Sequence, residues 1–218
     1  MSLSIIILAA GQGTRMQSAI PKVLHRLAGR TLLEHVYTVA ASLNASGIHI
    51  VYGHGGEKVS QLLSGLSASW VLQAEQLGTG HAVKQAIPGI PDEDDVLILY
   101  GDVPLVAKAT LAALVEATAG QGFSLLTARL ENPCGYGRII RDEQGRITRI
   151  VEEKDANAVE RKIDEINTGM MCVRAGLLKQ WLERLNQDNA QGEYYLTDIV
   201  AMAVADGVDI HTTSPAHR

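Results

Sequence analysis

Apolar positions along this chain fall into two alternating kinds of run. Short runs rich in apolar residues occupy residues 5–9, 48–52, 69–72, 96–100 and 123–129, and those at 5–9 and 96–100 are unbroken. Runs of that length predict strands, and the two unbroken ones predict strands buried on both faces. Between them the apolar positions repeat at helical spacing. Residues 31–43 carry apolar side chains at 32, 33, 36, 39, 40 and 43, and Gly47 follows as a stop. Helices are likewise predicted at 57–63, at 81–87 ahead of Pro88, and at 110–119. Strand and helix in strict alternation imply an α/β fold: a doubly wound, mostly parallel, Rossmann-like sheet with helices on both faces.

The pattern changes after residue 130. Residues 137–140 and 146–151, split by Asp142-Glu143-Gln144-Gly145, predict an inserted β-hairpin. Residues 156–165 are polar and predict a mobile excursion. A strand is expected at 168–173, amphipathic helices at 177–185 and 195–205, and a closing strand at 208–212. The sheet is therefore expected to be mixed. No linker composition and no internal repeat divides the chain, so residues 1–218 are expected to form one domain with a first part, 1–130, and a second, 131–218.

Composition narrows the class. The chain has 218 residues, with 46% apolar and 20% charged, which is globular usage. Its net charge is −5 and no Lys/Arg run occurs, which argues against nucleic acid and against an acidic membrane surface as partner. The apolar start lacks a basic flank, so it reads as a strand rather than a secretory signal. No run approaches the ~20 apolar residues of a membrane span. Cys134 and Cys172 show neither CxxC spacing nor a nearby His pair, and the seven histidines show no metal-ligand spacing. Reduced thiols and a cytoplasmic location are the expectation. The acidic loop at 92–95 reads as solvated.

Chemistry enters with Leu8-Ala-Ala-Gly-Gln-Gly-Thr-Arg-Met16, directly after the first strand. After Leu8, the small residues Ala9, Ala10, Gly11 and Gly13 let backbone N–H groups approach phosphate oxygens at the sheet edge where open α/β folds bind ligands. A dinucleotide fingerprint needs a third small residue where Met16 stands, and a Walker loop needs a Gly-Lys-Ser/Thr that is absent. Arg15 and Lys22 instead supply a guanidinium fork and a point charge, which suit a triphosphate whose β,γ-part departs with charge. A lone Gly-x-Gly more often only shapes a turn.

Leu8-Ala-Ala-Gly-x-Gly-Thr-Arg-Met followed by Pro21-Lys22-x-Leu24 resembles the signature of the sugar nucleotidyltransferases. Further blocks run in order: Gln76-Leu-Gly-Thr-Gly-His-Ala82, Leu99-Tyr-Gly-Asp-Val-Pro-Leu105, Gly135-Tyr-Gly-Arg-Ile139, Ile150-Val-Glu-Glu-Lys-Asp155, Glu165-Ile-Asn-Thr-Gly169 and Asn189-Ala-Gln-Gly-Glu-Tyr-Tyr-Leu-Thr-Asp198. Together they resemble the uridyltransferase half of the bacterial bifunctional N-acetylglucosamine-1-phosphate uridyltransferase/glucosamine-1-phosphate acetyltransferase family.

The resemblance implies UTP and N-acetylglucosamine 1-phosphate as substrates, UDP-N-acetylglucosamine and pyrophosphate as products, and a place in peptidoglycan and lipopolysaccharide precursor synthesis. It makes residues 1–130 the nucleotide part and 131–218 the sugar part. Arg15, Lys22 and Asp102 become catalytic, with Asp102 holding Mg²⁺; a turn-capping Asp is the alternative. Gln73, Gly78 and Thr79 fall at the base, with Gln76 beside them, although for Gln76 ordinary loop polarity is the simpler reading. Gly137, Glu152 and Asn167 fall around the sugar, with Tyr100, Gly101 and Thr168 as weaker candidates. For Glu152 the alternative is a solvated cluster, Glu152-Glu153-Lys154-Asp155. Tyr194-Tyr195 can be read as helix packing.

The family also has a second metal ligand, an Asn in a Val-Asn-Asn segment after the last strand, and a solenoid acetyltransferase half. This chain ends on Ser214-Pro-Ala-His-Arg and contains neither. The expectation is a truncated or natural fragment, monomeric where the full-length chain would be a trimer, with activity lowered by the incomplete metal site. Two rivals stand beside it: a nucleotidyltransferase for another sugar phosphate, and a non-catalytic nucleotide-sugar-binding module.

Overall fold

The computed structural model describes residues 2–11, 20–53, 56–118 and 122–215. In chain order the elements are β1 (Leu3–Ala9), β2 (Arg26–Leu27), β3 (Arg30–Thr31), α1 (Leu32–Ala41), β4 (Gly47–Gly53), α2 (Glu57–Leu62), β5 (Ser69–Gln73), α3 (Thr79–Ala86), β6 (Asp95–Tyr100), α4 (Lys108–Thr118) and β7 (Phe123–Arg129). The second part adds β8 (Arg138–Arg141), β9 (Ile147–Val151), β10 (Glu165–Arg174), α5 (Ala175–Arg184), α6 (Asp198–Ala205) and β11 (His211–Thr213).

Among the described residues one nine-stranded sheet runs β11-β7-β10-β6-β1-β4-β5, with the β8–β9 hairpin joined through β10. β1 lies between β4 and β6, parallel to both, and β5 extends the parallel set beyond β4. β10 runs antiparallel to both β6 and β7, which makes the sheet mixed. Ile5, Ile6 and Ile7 are fully buried because β1 is covered on both sides. Ile6 and Leu8 pack with α3, α5 and α6, while Ile5, Ile7 and Ala9 pack with α1, α2 and α4. Side chains of a strand point alternately to its two faces, so an unbroken apolar run is what a doubly covered strand requires. The expected doubly wound, Rossmann-like fold is the observed one.

Several boundaries differ, each for a local reason. α1 starts after Thr31, whose side chain and Glu34 form a reciprocal capping box. α3 starts two residues before the predicted 81, because Gly78 turns the chain at φ +108° and Thr79 enters the helix directly. The helix expected at 195–205 begins only at Asp198. Upstream, the Tyr194 and Leu196 N–H groups donate to Leu77 O and Thr79 Oγ1, so they are held by another loop.

The polar stretch at 156–165 is tethered rather than loose. Asn157 Oδ1 accepts from the Val159 and Glu160 N–H groups, and Glu160 pairs with Arg149 at 2.7 Å. The β2–β3 hairpin was not expected at all. No described helix is long and apolar enough to cross a membrane.

Candidate active site

The carboxyl ends of the parallel strands bring the sequence blocks to one edge. Leu8 is in register with both Tyr100 of β6 and Val51 of β4, and Gly53 with Gln73 of β5. The chain leaving β1 therefore passes between the Tyr100-Gly101-Asp102 turn and the end of β4. Gly101 N–H closes onto Leu8 O at 2.9 Å. Gly13 and Arg15 lie outside the described residues, so the loop is seen only through Leu8, Ala9, Ala10 and Gly11 on one side and Lys22 on the other.

Lys22 and Asp102, 80 positions apart in sequence, form an ion pair, with Nζ 2.6 Å from Oδ2. Packing places both. Lys22 opens a short 3₁₀ turn whose next two residues, Val23 and Leu24, are buried. Val23 lies against Gly101, where an added methyl group would come within 3.2 Å of both Val23 and Leu33. The small residue before Asp102 thus lets the lysine-bearing turn approach.

A second set surrounds the start of α3. Gln76 Nε2 donates to Ala10 O at 2.7 Å, tying this segment to the glycine-rich loop. That contact crosses Gly53: a Cβ there would lie 2.2 Å from Gln76 Nε2 and 2.8 Å from Ala10 O. Gly53 was missed in the sequence, which holds no local signal for it. Gln73 is buried and donates to Gly78 O at 3.1 Å. Thr79 Oγ1 accepts the Leu196 N–H, so its hydroxyl locks the loop to the Tyr-Tyr-Leu-Thr block.

The second part supplies a cradle. Asn167 N–H donates to Gly137 O at 2.9 Å, and Asn167 Oδ1 accepts the Gly169 N–H at 3.0 Å. A Cβ on Gly137 would sit 3.5 Å from both Glu152 carboxylate oxygens, so the glycine leaves that face open. Gly169 lies in the irregular stretch of β10, at φ +85°, and a Cβ there would overlap the Tyr100 ring. Burial pushes the Tyr100 hydroxyl well above its usual range, and the Glu152 and Asp102 carboxylates push it further. Both carboxylates therefore act on one ring. The Thr168 hydroxyl is engaged within the strand, donating to Leu126 O at 2.7 Å and accepting from Met170 N–H, which argues against a sugar contact.

The charged run 152–155 divides. Glu153 turns to the buried Arg138 at 2.7 Å, and Lys154 and Asp155 are exposed. Glu152 points inward, accepts from Thr197 Oγ1 at 2.9 Å, and lines a cavity of about 400 Å³ with Arg149, Asp155, Asp198 and Tyr195. Tyr195 donates to Asp155, so it does more than pack a helix. Burial raises the Glu152 carboxyl above the ordinary range; the Thr197 hydrogen bond opposes this, and Asp198 and Asp155 reinforce it.

A carboxyl raised on folding binds more protons in the native than in the unfolded state. Its contribution to stability is present below the unfolded value and is lost as pH rises through the folded one. Glu152→Gln is therefore expected to melt at the same temperature as the parent or higher at pH 7.5, and to flatten the pH dependence of melting between pH 4 and 7. Thermal melts across that range check this, and a lower melting temperature at pH 7.5 would mean that the charged form is stabilising.

Among the described residues no group of three or more His, Cys, Asp or Glu side chains is placed to hold a metal. Asp102 offers a single carboxylate at the edge. That donor set suits a hard cation carried in by phosphate oxygens rather than one caged by protein, which is how Mg²⁺ is commonly held.

Fold and edge define a nucleotide-transfer domain, and the chain belongs to the MobA-like NTP transferase domain family, whose model matches residues 5–192. Among individual relatives, it is 56% identical to the bifunctional protein GlmU of Methylococcus capsulatus, over 99% of this chain and 47% of that protein. It is 53% identical to the bifunctional protein GlmU of Idiomarina loihiensis, again over 99% and 47%. The chain thus spans about half the length of the curated relatives it matches. A solved UDP-glucose pyrophosphorylase, complexed with UDP-glucose, superposes with a TM-score of 0.80 over 97% of this chain and 90% of its own, at 16% identity. That likeness is one of fold.

Proposed function

We propose that this chain is an N-acetylglucosamine-1-phosphate uridyltransferase, forming UDP-N-acetylglucosamine and pyrophosphate from UTP and N-acetylglucosamine 1-phosphate, as a step toward cell-wall precursors. The observation that carries it is the Lys22–Asp102 pair at the carboxyl edge of β1 and β6, with the Gln73 loop and the Glu152–Asn167 cradle on the same edge. The identity to the GlmU proteins supports the choice of substrates.

In the proposed reaction a phosphate oxygen of the sugar phosphate attacks the α-phosphorus of UTP. The bond from that phosphorus to the bridging oxygen breaks, and pyrophosphate leaves in line. The attacking oxygen is already anionic, so no general base is required, and positioning with charge stabilisation supplies the rate. Lys22 exchanges the Asp102 oxygen for triphosphate oxygens, and Arg15 is the expected second cation on that phosphate chain. Asp102 would hold Mg²⁺, which when bound offsets phosphate charge. Glu152 and the Asn167 side chain accept and donate to sugar hydroxyls and the acetamido group, and Gly137 admits the ring to that face.

The test is pyrophosphate release on a substrate panel. Release with UTP, Mg²⁺ and N-acetylglucosamine 1-phosphate is expected to exceed release with glucose 1-phosphate or with CTP. Preference for either alternative would overturn the assignment. Binding of UDP-N-acetylglucosamine with no release would make the chain a nucleotide-sugar-binding module instead.

A further inference from the structure

We propose that His81 is a positioning residue that fixes which face of the Gln73 amide meets the base, and so selects uracil over cytosine. The inference rests on the UTP reading above and extends it to a residue outside the expected site.

Gln73 ends β5 and is only 3% exposed. Its Nε2 donates to Gly78 O at 3.1 Å and lies 3.1 Å from His81 Nδ1. A primary amide nitrogen carries two hydrogens, and these two partners use both. The carbonyl oxygen is then the group Gln73 has to offer a ligand. Turning the amide over would set its oxygen against both Gly78 O and the Nδ1 lone pair, so the two acceptors hold the orientation together and loss of either weakens it.

With Nδ1 accepting, a neutral His81 must carry its hydrogen on Nε2. Gln85 Nε2 lies 3.2 Å from that nitrogen and also reaches His81 O. Gln85 is partly exposed and can give up its bond to His81 O to water and turn its own oxygen to the Nε2–H, whereas the buried Gln73 has no water to replace Gly78 O. The His81 ring itself is held beside Tyr194, with centroids 6.3 Å apart and planes 28° from parallel. Gly78, at φ +108°, bends the loop so that its carbonyl and the His81 ring flank the same amide.

A fixed carbonyl acceptor discriminates between the pyrimidines. Uracil presents an N3–H donor at the middle of its pairing edge. Cytosine presents a bare N3 lone pair there, which faces the Gln73 oxygen without a hydrogen. One hydrogen bond made or lost in a desolvated site corresponds to roughly tenfold in affinity.

Titration calorimetry with Mg²⁺–UTP and Mg²⁺–CTP on the parent chain, His81→Phe and His81→Asn tests this without requiring turnover. Phenylalanine keeps a ring beside Tyr194 and deletes the acceptor. The ratio of UTP to CTP affinity is expected to fall by about tenfold. Asparagine places Oδ1 near the Nδ1 position and is expected to recover most of the ratio. A purely structural role would weaken both nucleotides alike and leave the ratio unchanged. That result, or no recovery with asparagine, overturns the proposal.

The ¹⁵N shifts of His81 in the parent chain decide the point even if His81→Phe does not fold. A hydrogen on Nε2 and none on Nδ1 is expected, and a protonated Nδ1 sinks the idea. If the parent chain itself shows no preference for UTP, the UTP reading fails and this inference fails with it. A UTP preference that survives in a folded His81→Phe removes only the inference.

Discussion

Replacing Asp102 with asparagine is expected to reduce Mg²⁺-dependent pyrophosphate release to below about one hundredth of the parent rate, the scale of losing a transition-state charge contact. The fold should be untouched. The Lys22–Asp102 pair is part-exposed, at 41% and 28% of side-chain surface, and exposed pairs contribute at most about 1 kcal/mol. Asparagine keeps the shape of the side chain. It loses the charge that both positions Lys22 and would hold a divalent cation against phosphate. Rate and melting temperature measured together separate chemistry from stability. Near-parental turnover would remove Asp102 from the reaction and leave it as a surface partner of Lys22.

Gly78→Ala is expected to be the most damaging single methyl group in the nucleotide half. Gly78 sits at φ +108° and ψ 176°, a region that essentially only glycine occupies, at about 1–3 kcal/mol for other residues. The added Cβ would also lie 2.7 Å from Tyr194 O and 2.9 Å from Tyr194 N. Those two atoms hold the loop: Tyr194 N–H donates to Leu77 O, and Tyr194 O accepts from Gly80 N–H, each at 2.8 Å. Strain and displacement act on the same strap. The melting temperature should fall by roughly 5 °C or more for a chain of this size. Affinity for UTP should fall by at least about tenfold, because the carbonyl that orients Gln73 belongs to the same residue. Calorimetry and thermal melts check both; an unchanged melting curve would show that Tyr194 yields to the methyl group at little cost.

The two substitutions differ in what made them visible. Asp102 is legible as a candidate because it follows a buried strand and a glycine, and the loop at Leu8–Gly11 because small residues end a strand. Both are local patterns. The same holds for the sheet: the unbroken run in β1 and the helical stripe in α1 announce a strand covered on two faces and a helix covering it. Gly78 is legible as a glycine in a loop, but what it must avoid, the Tyr194 backbone, lies more than a hundred residues away in the chain.

By itself the sequence determined the alternation of strand and helix, the mixed doubly wound sheet, the phosphate-loop composition, and the family through blocks spread over nearly the whole chain. Periodicity and residue type are properties of neighbours in sequence, and burial follows from them. Only the tertiary structure decided that Lys22 meets Asp102 and that Gly53 must be small for Gln76 to reach Ala10. It likewise directed Glu152 inward while Glu153 turns to Arg138, and tied the Thr168 hydroxyl into its strand. The polar stretch at 156–165 reads as an excursion because polarity is local, yet Arg149 and Asn157 anchor it. Each of these depends on which distant backbone or side chain arrives at a given edge, and a one-dimensional pattern carries no distance between such groups.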